Sequence, residues 1–133
     1  MLRRFIGLAA LGLLASCAGS PGAAQDERVV VEIEHSKFRP DHMTFAGGTT
    51  VEFVLRNTDP IDHEFILGDE AVQEVHEKGT EAHHGAKPGE VSIPAGEERT
   101  TTFTFTDEGT LIYGCHLPGH YDFGMKGTVT VSS

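Results

Sequence analysis

The sequence is poor in cysteine and in basic side chains, and apolar runs long enough to span a membrane are absent. Two cysteines in 133 residues exclude a disulfide-rich scaffold and a four-cysteine zinc or iron–sulfur site. Ten basic against 20 acidic side chains give a net charge of −10, which argues against nucleic acid or an anionic membrane surface as the partner. The chain is long enough for one domain, which excludes a multidomain enzyme.

The N-terminal segment is predicted to be an export signal and not part of the fold. Two arginines precede an apolar run, residues 5–15, which is shorter than the roughly 20 residues that span a bilayer. The run leads into Leu-Ala-Ser-Cys, which resembles a bacterial lipobox. We therefore expect residues 1–16 to be removed and Cys17 to carry lipid. The alternative is ordinary cleavage a few residues later, for example after Ala24.

Residues 17–27 are expected to be a flexible tether, because most of this stretch is small, uncharged and rich in alanine, glycine and proline. A lipid at Cys17 would attach the protein to a membrane without a spanning helix. We therefore expect an exported lipoprotein that faces the periplasm or the cell exterior; ordinary cleavage predicts a soluble secreted or periplasmic protein. Removal of the signal leaves 8 basic and 20 acidic side chains, a net charge of −12.

Residues 28–133 are predicted to form one domain of β-strands. Apolar and polar side chains alternate, as Val31 and Ile33 do with two glutamates, and valine, threonine and phenylalanine are common. Such alternation is typical of half-buried strands, and turn residues separate the stretches. The clearest stretches are residues 29–34, 50–56, 100–106 and 128–131. Seven to eight short strands predict an all-β, Greek-key β-sandwich.

One segment differs, because Asp69–Lys78 is rich in helix formers. Asp69 is a good N-cap and Gly79 a stop signal, so we expect one short helix inside a long connection. The connection also carries three histidines in acidic surroundings: His76, His83 and His84. These histidines belong either to a solvated, pH-sensitive loop or to a weak secondary metal site.

Cysteine, histidine and methionine occur together near the C-terminus, as Cys115, His120 and Met125. With C-x4-H-x4-M spacing, one loop between two strands presents a thiolate, an imidazole and a thioether to a single ion. The blue-copper pattern is two histidines, one cysteine and a weak axial methionine. The best candidate for the second histidine is His63, which lies 52 positions before Cys115 where a turn passes into a strand.

On these residues the chain resembles the cupredoxins, the plastocyanin/azurin family of small blue copper proteins, over about Val29 to Val131. The resemblance implies one copper ion per domain, with His63, Cys115 and His120 as equatorial ligands and Met125 as the axial ligand. It also implies single-electron transfer; copper storage or delivery without a redox circuit is the alternative. Four ligands leave no open coordination position, so we expect no enzymatic activity.

The loop spacing looks most like that of rusticyanin. Glu64 departs from azurin and plastocyanin, which carry there an asparagine that ties the two ligand loops together. Strand alternation predicts that the neighbouring His116 points away from Cys115. His35 and His42 lie near strand ends and are expected to face solvent.

The expected partner is a basic redox protein such as a cytochrome, because the domain is strongly acidic. His120 is the predicted route for the electron, since its ring edge should reach the surface. An apolar rim around it is expected to form the docking face, made of Leu117, Pro118, Tyr121 and Phe123. We expect a monomer.

Overall fold

The computed structural model describes residues 26–133, which form nine β-strands and one α-helix. The strands are β1 (Asp26–Ile33), β2 (Phe38–Arg39), β3 (His42–Ala46), β4 (Thr50–Asn57), β5 (His63–Gly68), β6 (Glu90–Ile93), β7 (Glu98–Thr104), β8 (Gly109–Gly114) and β9 (Lys126–Ser132). The helix, α1, covers Glu70–Glu77 between β5 and β6. The predicted signal and lipidation site, residues 1–16 and Cys17, lie outside the described residues.

The strands form two sheets with a shared core between them, which confirms the predicted all-β sandwich. One sheet has the order β2-β1-β4-β7 and the other β3-β9-β8-β5-β6. Strands β1 and β4 pair in parallel, as do β3 and β9, and the other pairs are antiparallel. The count exceeds the expected seven to eight because β2 has two residues, too few for alternation to show. Strand β1 begins two residues before the predicted start of the domain, since Asp26 pairs with Thr50.

Alternation along the strands builds the core. Val31 and Ile33 of β1 are buried between partly exposed neighbours, as the sequence predicts. Phe53 of β4 packs against Phe65 of β5, with ring centroids 5.3 Å apart. Strand β5 is buried along its whole length, because the core covers one face and α1 lies against the other. This burial on both faces explains why β5 lacks clean alternation.

Helix α1 begins where the sequence predicts. The Asp69 side chain caps it by accepting a hydrogen bond from the Val72 N–H at 2.9 Å. The buried side chain of Gln73 attaches α1 to the sheet, since its Nε2 donates to the carbonyls of Ile66 in β5 and Ile112 in β8. Among residues 26–133 no helix is long and apolar enough to cross a membrane.

The strand directions bring two distant chain segments to one end of the sandwich. Strands β5 and β8 are antiparallel, so the start of β5 at His63 lies near the end of β8 at Gly114. The loop 115–125 joins β8 to β9 at this same end. The topology therefore places the loop that contains the Cys-His-Met motif beside His63.

Candidate metal centre

Three of the four predicted ligand residues converge at this end of the sandwich. The Nδ1 atoms of His63 and His120 are 3.3 Å apart, and the Cys115 Sγ lies 3.2 Å from His120 Nδ1. His63 and Cys115 are buried, whereas His120 is partly exposed. The three donor atoms lie close enough together to share one metal ion.

Met125, the fourth predicted residue, is buried and closes the same loop. Its N–H donates to the His120 carbonyl at 3.0 Å, and its carbonyl accepts from the Cys115 N–H at 3.1 Å. These two backbone bonds bring the ends of the loop together. A soft sulfur pair with two imidazoles is a donor set that suits copper, so the residues present fit the ion.

Asp59 orients His63, a role that the sequence analysis missed. Its Oδ2 lies 2.8 Å from His63 Nε2, which leaves Nδ1 facing the site. The carboxylate also accepts the backbone N–H groups of His35 and Ser36 at 2.7 and 2.8 Å. Burial opposes the charge of Asp59, but these hydrogen bonds and that of His63 outweigh it and lower its pKa. The sequence signal that could have indicated this role is the position of Asp59, in a turn four residues before His63.

Burial governs the protonation of the two inner donors. It raises the pKa of the Cys115 thiol to about 11, although the Glu64 N–H donates to its sulfur at 3.4 Å. The metal-free thiol is therefore protonated at neutral pH, and a metal ion must displace that proton. Burial lowers the pKa of His63, so its imidazole is neutral and available as a ligand.

Glu64 joins the two segments that carry the predicted ligands. Its side chain is almost fully buried, and Oε1 accepts the His116 N–H at 2.9 Å, one residue after Cys115. The hydroxyl of Thr80 donates to the same carboxylate at 3.0 Å. Together with the N–H contact to the Cys115 sulfur, these bonds hold the start of β5 against the loop.

His116 points away from Cys115, as predicted, but it is buried. Its Nε2 and Nδ1 lie 2.8 Å from Gln73 and Glu77 of α1, respectively. The ring of Tyr121 stacks on it with centroids 4.5 Å apart. Tyr121 therefore makes an internal contact, whereas Phe123, in the same loop, is 85% exposed. His35 and His42 are exposed, as expected.

Two of the three histidines of the connection lie together in the structure, and the third lies outside their group. His76 and His84 meet Glu90, the first residue of β6, and the three form a second group of potential ligands. His83 is exposed and lies outside this group. Sequence analysis missed Glu90 because it begins a strand six residues after the last of the histidines.

Comparison with known proteins agrees with this geometry. The family model for copper binding proteins of the plastocyanin/azurin family matches residues 25–132. The copper-resistant cuproprotein CopI of Rubrivivax gelatinosus is 37% identical over 119 residues, which cover 85% of this chain and 72% of the relative. Auracyanin-B of Chloroflexus aurantiacus is 33% identical over 118 residues, which cover 70% of this chain and 49% of the relative.

Solved structures show the same fold. The structure of auracyanin B superposes with a TM-score of 0.69 at 22% identity, and the match covers 87% of this chain and 96% of that chain. Fold, donor set and family match therefore agree that this chain belongs to the plastocyanin/azurin family of copper-binding proteins, the cupredoxins, whose cofactor is copper.

Proposed function

We propose that the protein is a one-electron carrier with a mononuclear blue copper site, held by His63, Cys115, His120 and Met125. The observation that carries the proposal is the convergence of two imidazole nitrogens and one buried thiol at the end of the sandwich. When bound, copper supplies a Cu(I)/Cu(II) couple. A trigonal set of two histidines and one cysteine with a weak methionine is the blue-copper pattern.

Hydrogen bonds within the protein position the donor atoms. Asp59 orients the ring of His63, and the Glu64 N–H is directed at the Cys115 sulfur. Donor atoms held by such hydrogen bonds need little rearrangement between oxidation states, which favours fast electron transfer. The same closed set leaves no open position for a substrate, so we propose a carrier and not an enzyme.

We propose that electrons pass through His120, because it is the partly exposed member of the converging three. Phe123 and Pro118 are exposed nearby and provide apolar contact area for a partner. The net charge of −12 after removal of the signal favours a basic redox partner such as a cytochrome. The protein is proposed to act as a monomer, outside the cytoplasm.

Addition of Cu(II) to the purified protein tests the site. We expect an intense blue charge-transfer band that is lost in Cys115→Ser. The control is His42→Ala, because His42 is exposed on β3 and binds Thr128 instead of the centre. A colourless protein with only weak histidine-type copper binding would overturn the proposal.

Copper storage or delivery is the second candidate function. It is favoured by the name of the Rubrivivax gelatinosus relative, a copper-resistant cuproprotein. The two functions differ in what leaves the protein. Fast, reversible oxidation and reduction by a cytochrome, with copper retained, supports the carrier. Transfer of the copper ion itself to a metal-free acceptor, with slow redox exchange, supports storage or delivery.

The membrane anchor is a separate proposal that rests on the Leu-Ala-Ser-Cys motif. Mass spectrometry of the N-terminal peptide from detergent-extracted protein is expected to show diacylated or triacylated Cys17. Cys17→Ser is expected to abolish the lipid. An unmodified N-terminus that begins after Ala24 would instead show ordinary cleavage.

A further inference from the structure

A second group of potential metal-ligating side chains shares no residue with the copper centre and joins three elements. His76 belongs to α1, His84 to the connection between α1 and β6, and Glu90 to β6. Glu90 Oε2 lies 3.6 Å from His76 Nε2 and 3.4 Å from His84 Nδ1. His84 and Glu90 are buried and His76 is mostly so. The contact atoms therefore face one another largely away from bulk water.

Hydrogen bonding determines which nitrogen of His76 carries its proton. The Nδ1 atom lies 2.8 Å from the Val72 carbonyl, one turn earlier in α1. A carbonyl oxygen accepts and never donates, so Nδ1 must hold the hydrogen. The neutral ring then presents a bare lone pair at Nε2, toward Glu90.

The same reasoning applies to His84. Its Nε2 atom lies 2.9 Å from the hydroxyl of Thr80, and that hydroxyl donates its own hydrogen to Glu64. The Thr80 oxygen is therefore the acceptor for His84 Nε2–H. This leaves the lone pair of His84 at Nδ1, again directed at Glu90.

Glu90 contributes a negative charge at the same point. Its Oε1 accepts from Lys87 Nζ at 2.5 Å, which leaves Oε2 for the two histidines. Burial opposes ionisation of Glu90, but the hydrogen bond and the charge of Lys87, together with the facing His76 and His84, outweigh it and lower the pKa of Glu90. When both rings are neutral, the form that binds a metal, two imidazole lone pairs and one carboxylate oxygen face one another.

We propose that His76, His84 and Glu90 bind one divalent first-row transition-metal ion, Zn²⁺ or Cu²⁺. With metal–ligand bonds of about 2.0–2.2 Å, tetrahedral ligand atoms are roughly 3.3–3.6 Å apart. The 3.4 and 3.6 Å separations from Glu90 fit that range. Two histidines and a carboxylate are harder ligands than those of the copper centre and suit a divalent ion.

The proposed site is accessible from the surface. A surface cavity of about 320 Å³ lies against all three ligands and is also lined by His83, Lys87 and Glu81. Its volume leaves room for a water molecule as a fourth ligand. Bound metal would tie α1, the connection and β6 to one another, without using any residue of the copper centre.

The test is titration of the copper-loaded protein with Zn²⁺, monitored by isothermal titration calorimetry. We expect one additional equivalent to bind, and binding at least tenfold weaker in His76→Ala and in Glu90→Gln. The blue band checks that each variant is folded and keeps its copper. Added Cu²⁺ is expected to give a second, non-blue paramagnetic signal with coupling to two nitrogens.

His83→Ala is the matched control, since His83 borders the cavity but lies outside the ligand group. Its affinity for Zn²⁺ should stay within about twofold of the parent protein. Absence of the additional equivalent, or equal loss in His83→Ala and His76→Ala, would overturn the proposal. If no blue band forms, the same titration of Cys115→Ser still tests this site independently of the copper centre.

Discussion

At the residue scale, the side chains that orient the ligands are as important as the ligands. His63 is held by Asp59, which two consecutive backbone N–H groups hold in turn. Cys115 receives an N–H from Glu64, whose carboxylate binds the residue that follows the cysteine. Such outer contacts set the direction and the basicity of metal ligands.

Asp59→Asn is expected to raise the reduction potential of the copper centre. Loss of the carboxylate makes His63 a poorer electron donor, which weakens the binding of Cu(II) more than that of Cu(I). If the affinity for Cu(II) falls tenfold more than the affinity for Cu(I), the reduction potential rises by about 59 mV. Voltammetry of the blue protein measures the change.

Asp62→Asn is the control for that prediction, because it removes the same charge nearby while Asp62 itself accepts from the Ala95 N–H. Its potential should move much less. Equal shifts in the two variants would show that net charge, and not the hydrogen bond to His63, sets the potential.

Because the Cys115 thiol is buried, we expect the free energy of unfolding of the metal-free protein to fall at alkaline pH. The unfolded chain releases the Cys115 proton from about pH 9, whereas the folded protein keeps it up to about pH 11. The unfolded state therefore binds fewer protons in this window, and the free energy of unfolding falls by about 2 kcal/mol between pH 8 and pH 11. Urea unfolding at pH 8 and pH 11, under reducing conditions, measures the fall.

The matched variant for this measurement is Cys115→Ala, which cannot titrate at that position. Burial also raises the pKa of Tyr113, and that contribution is common to both proteins. The difference in pH dependence between them isolates the thiol. A parallel decline in both would contradict the role assigned to Cys115.

At the element scale, α1 is fastened to the sheet by polar contacts. The amide of Gln73 donates to one carbonyl in β5 and to another in β8, and its oxygen lies 2.8 Å from His116 Nε2. The helix thereby links the ligand strand β5, the end of β8 and the residue next to Cys115.

Gln73→Ala is expected to destabilise the protein by about 3 kcal/mol, because three hydrogen bonds are lost in a buried place at about 1 kcal/mol each. Glu74→Ala in the same helix is the control. Among residues 26–133, the Glu74 side chain pairs with exposed Lys78, and exposed ion pairs contribute little. Urea unfolding compares them, and equal stability of the two variants would contradict the anchoring role.

Gly114, at the end of β8, is expected to tolerate no side chain. A Cβ there would lie 2.6 Å from the Tyr121 ring and 3.1 Å from the Gln73 amide oxygen. Gly114→Ala should displace the Tyr121 ring from His116 and lower the free energy of unfolding by roughly 1–3 kcal/mol. Gly79→Ala is the control, since that position is open, and thermal unfolding distinguishes the two.

At the scale of the whole molecule, charge is unevenly spread. Basic side chains Lys37, Arg39 and Lys126 line one cavity beside the copper loop, and Lys37 Nζ donates to the Phe123 carbonyl at 2.9 Å. Acidic side chains dominate the rest of the chain. We therefore expect long-range attraction of a partner to follow the net charge, and close docking to depend on the apolar residues near His120.

Electron transfer with a basic cytochrome is expected to slow as ionic strength rises. Salt screens attraction between opposite net charges, and steered association is steeply salt-dependent. Stopped-flow measurement at increasing salt checks this, with an acidic cytochrome as the comparison. A rate with the basic cytochrome that is constant or rises with salt would contradict steering by the net charge.

The amino-acid sequence by itself determined the sandwich and the grouping of Cys115, His120 and Met125. Strand alternation is a local signal, and so is the spacing of ligands within one loop. The N-cap of α1 at Asp69 is local in the same sense. His63 required a longer inference, from its place at the start of a strand.

Only the tertiary structure decided the contacts that surround these residues. Strand pairing and loop packing bring together segments that are distant in sequence. They place Asp59 against His63, and Glu64 between Thr80 and His116. They also place Glu90, and not His83, beside His76 and His84. Alternation specifies a face of a sheet but not which distant side chain shares it. For this reason candidate ligands could be named from the sequence, while the hydrogen bonds that orient their side chains depended on the fold.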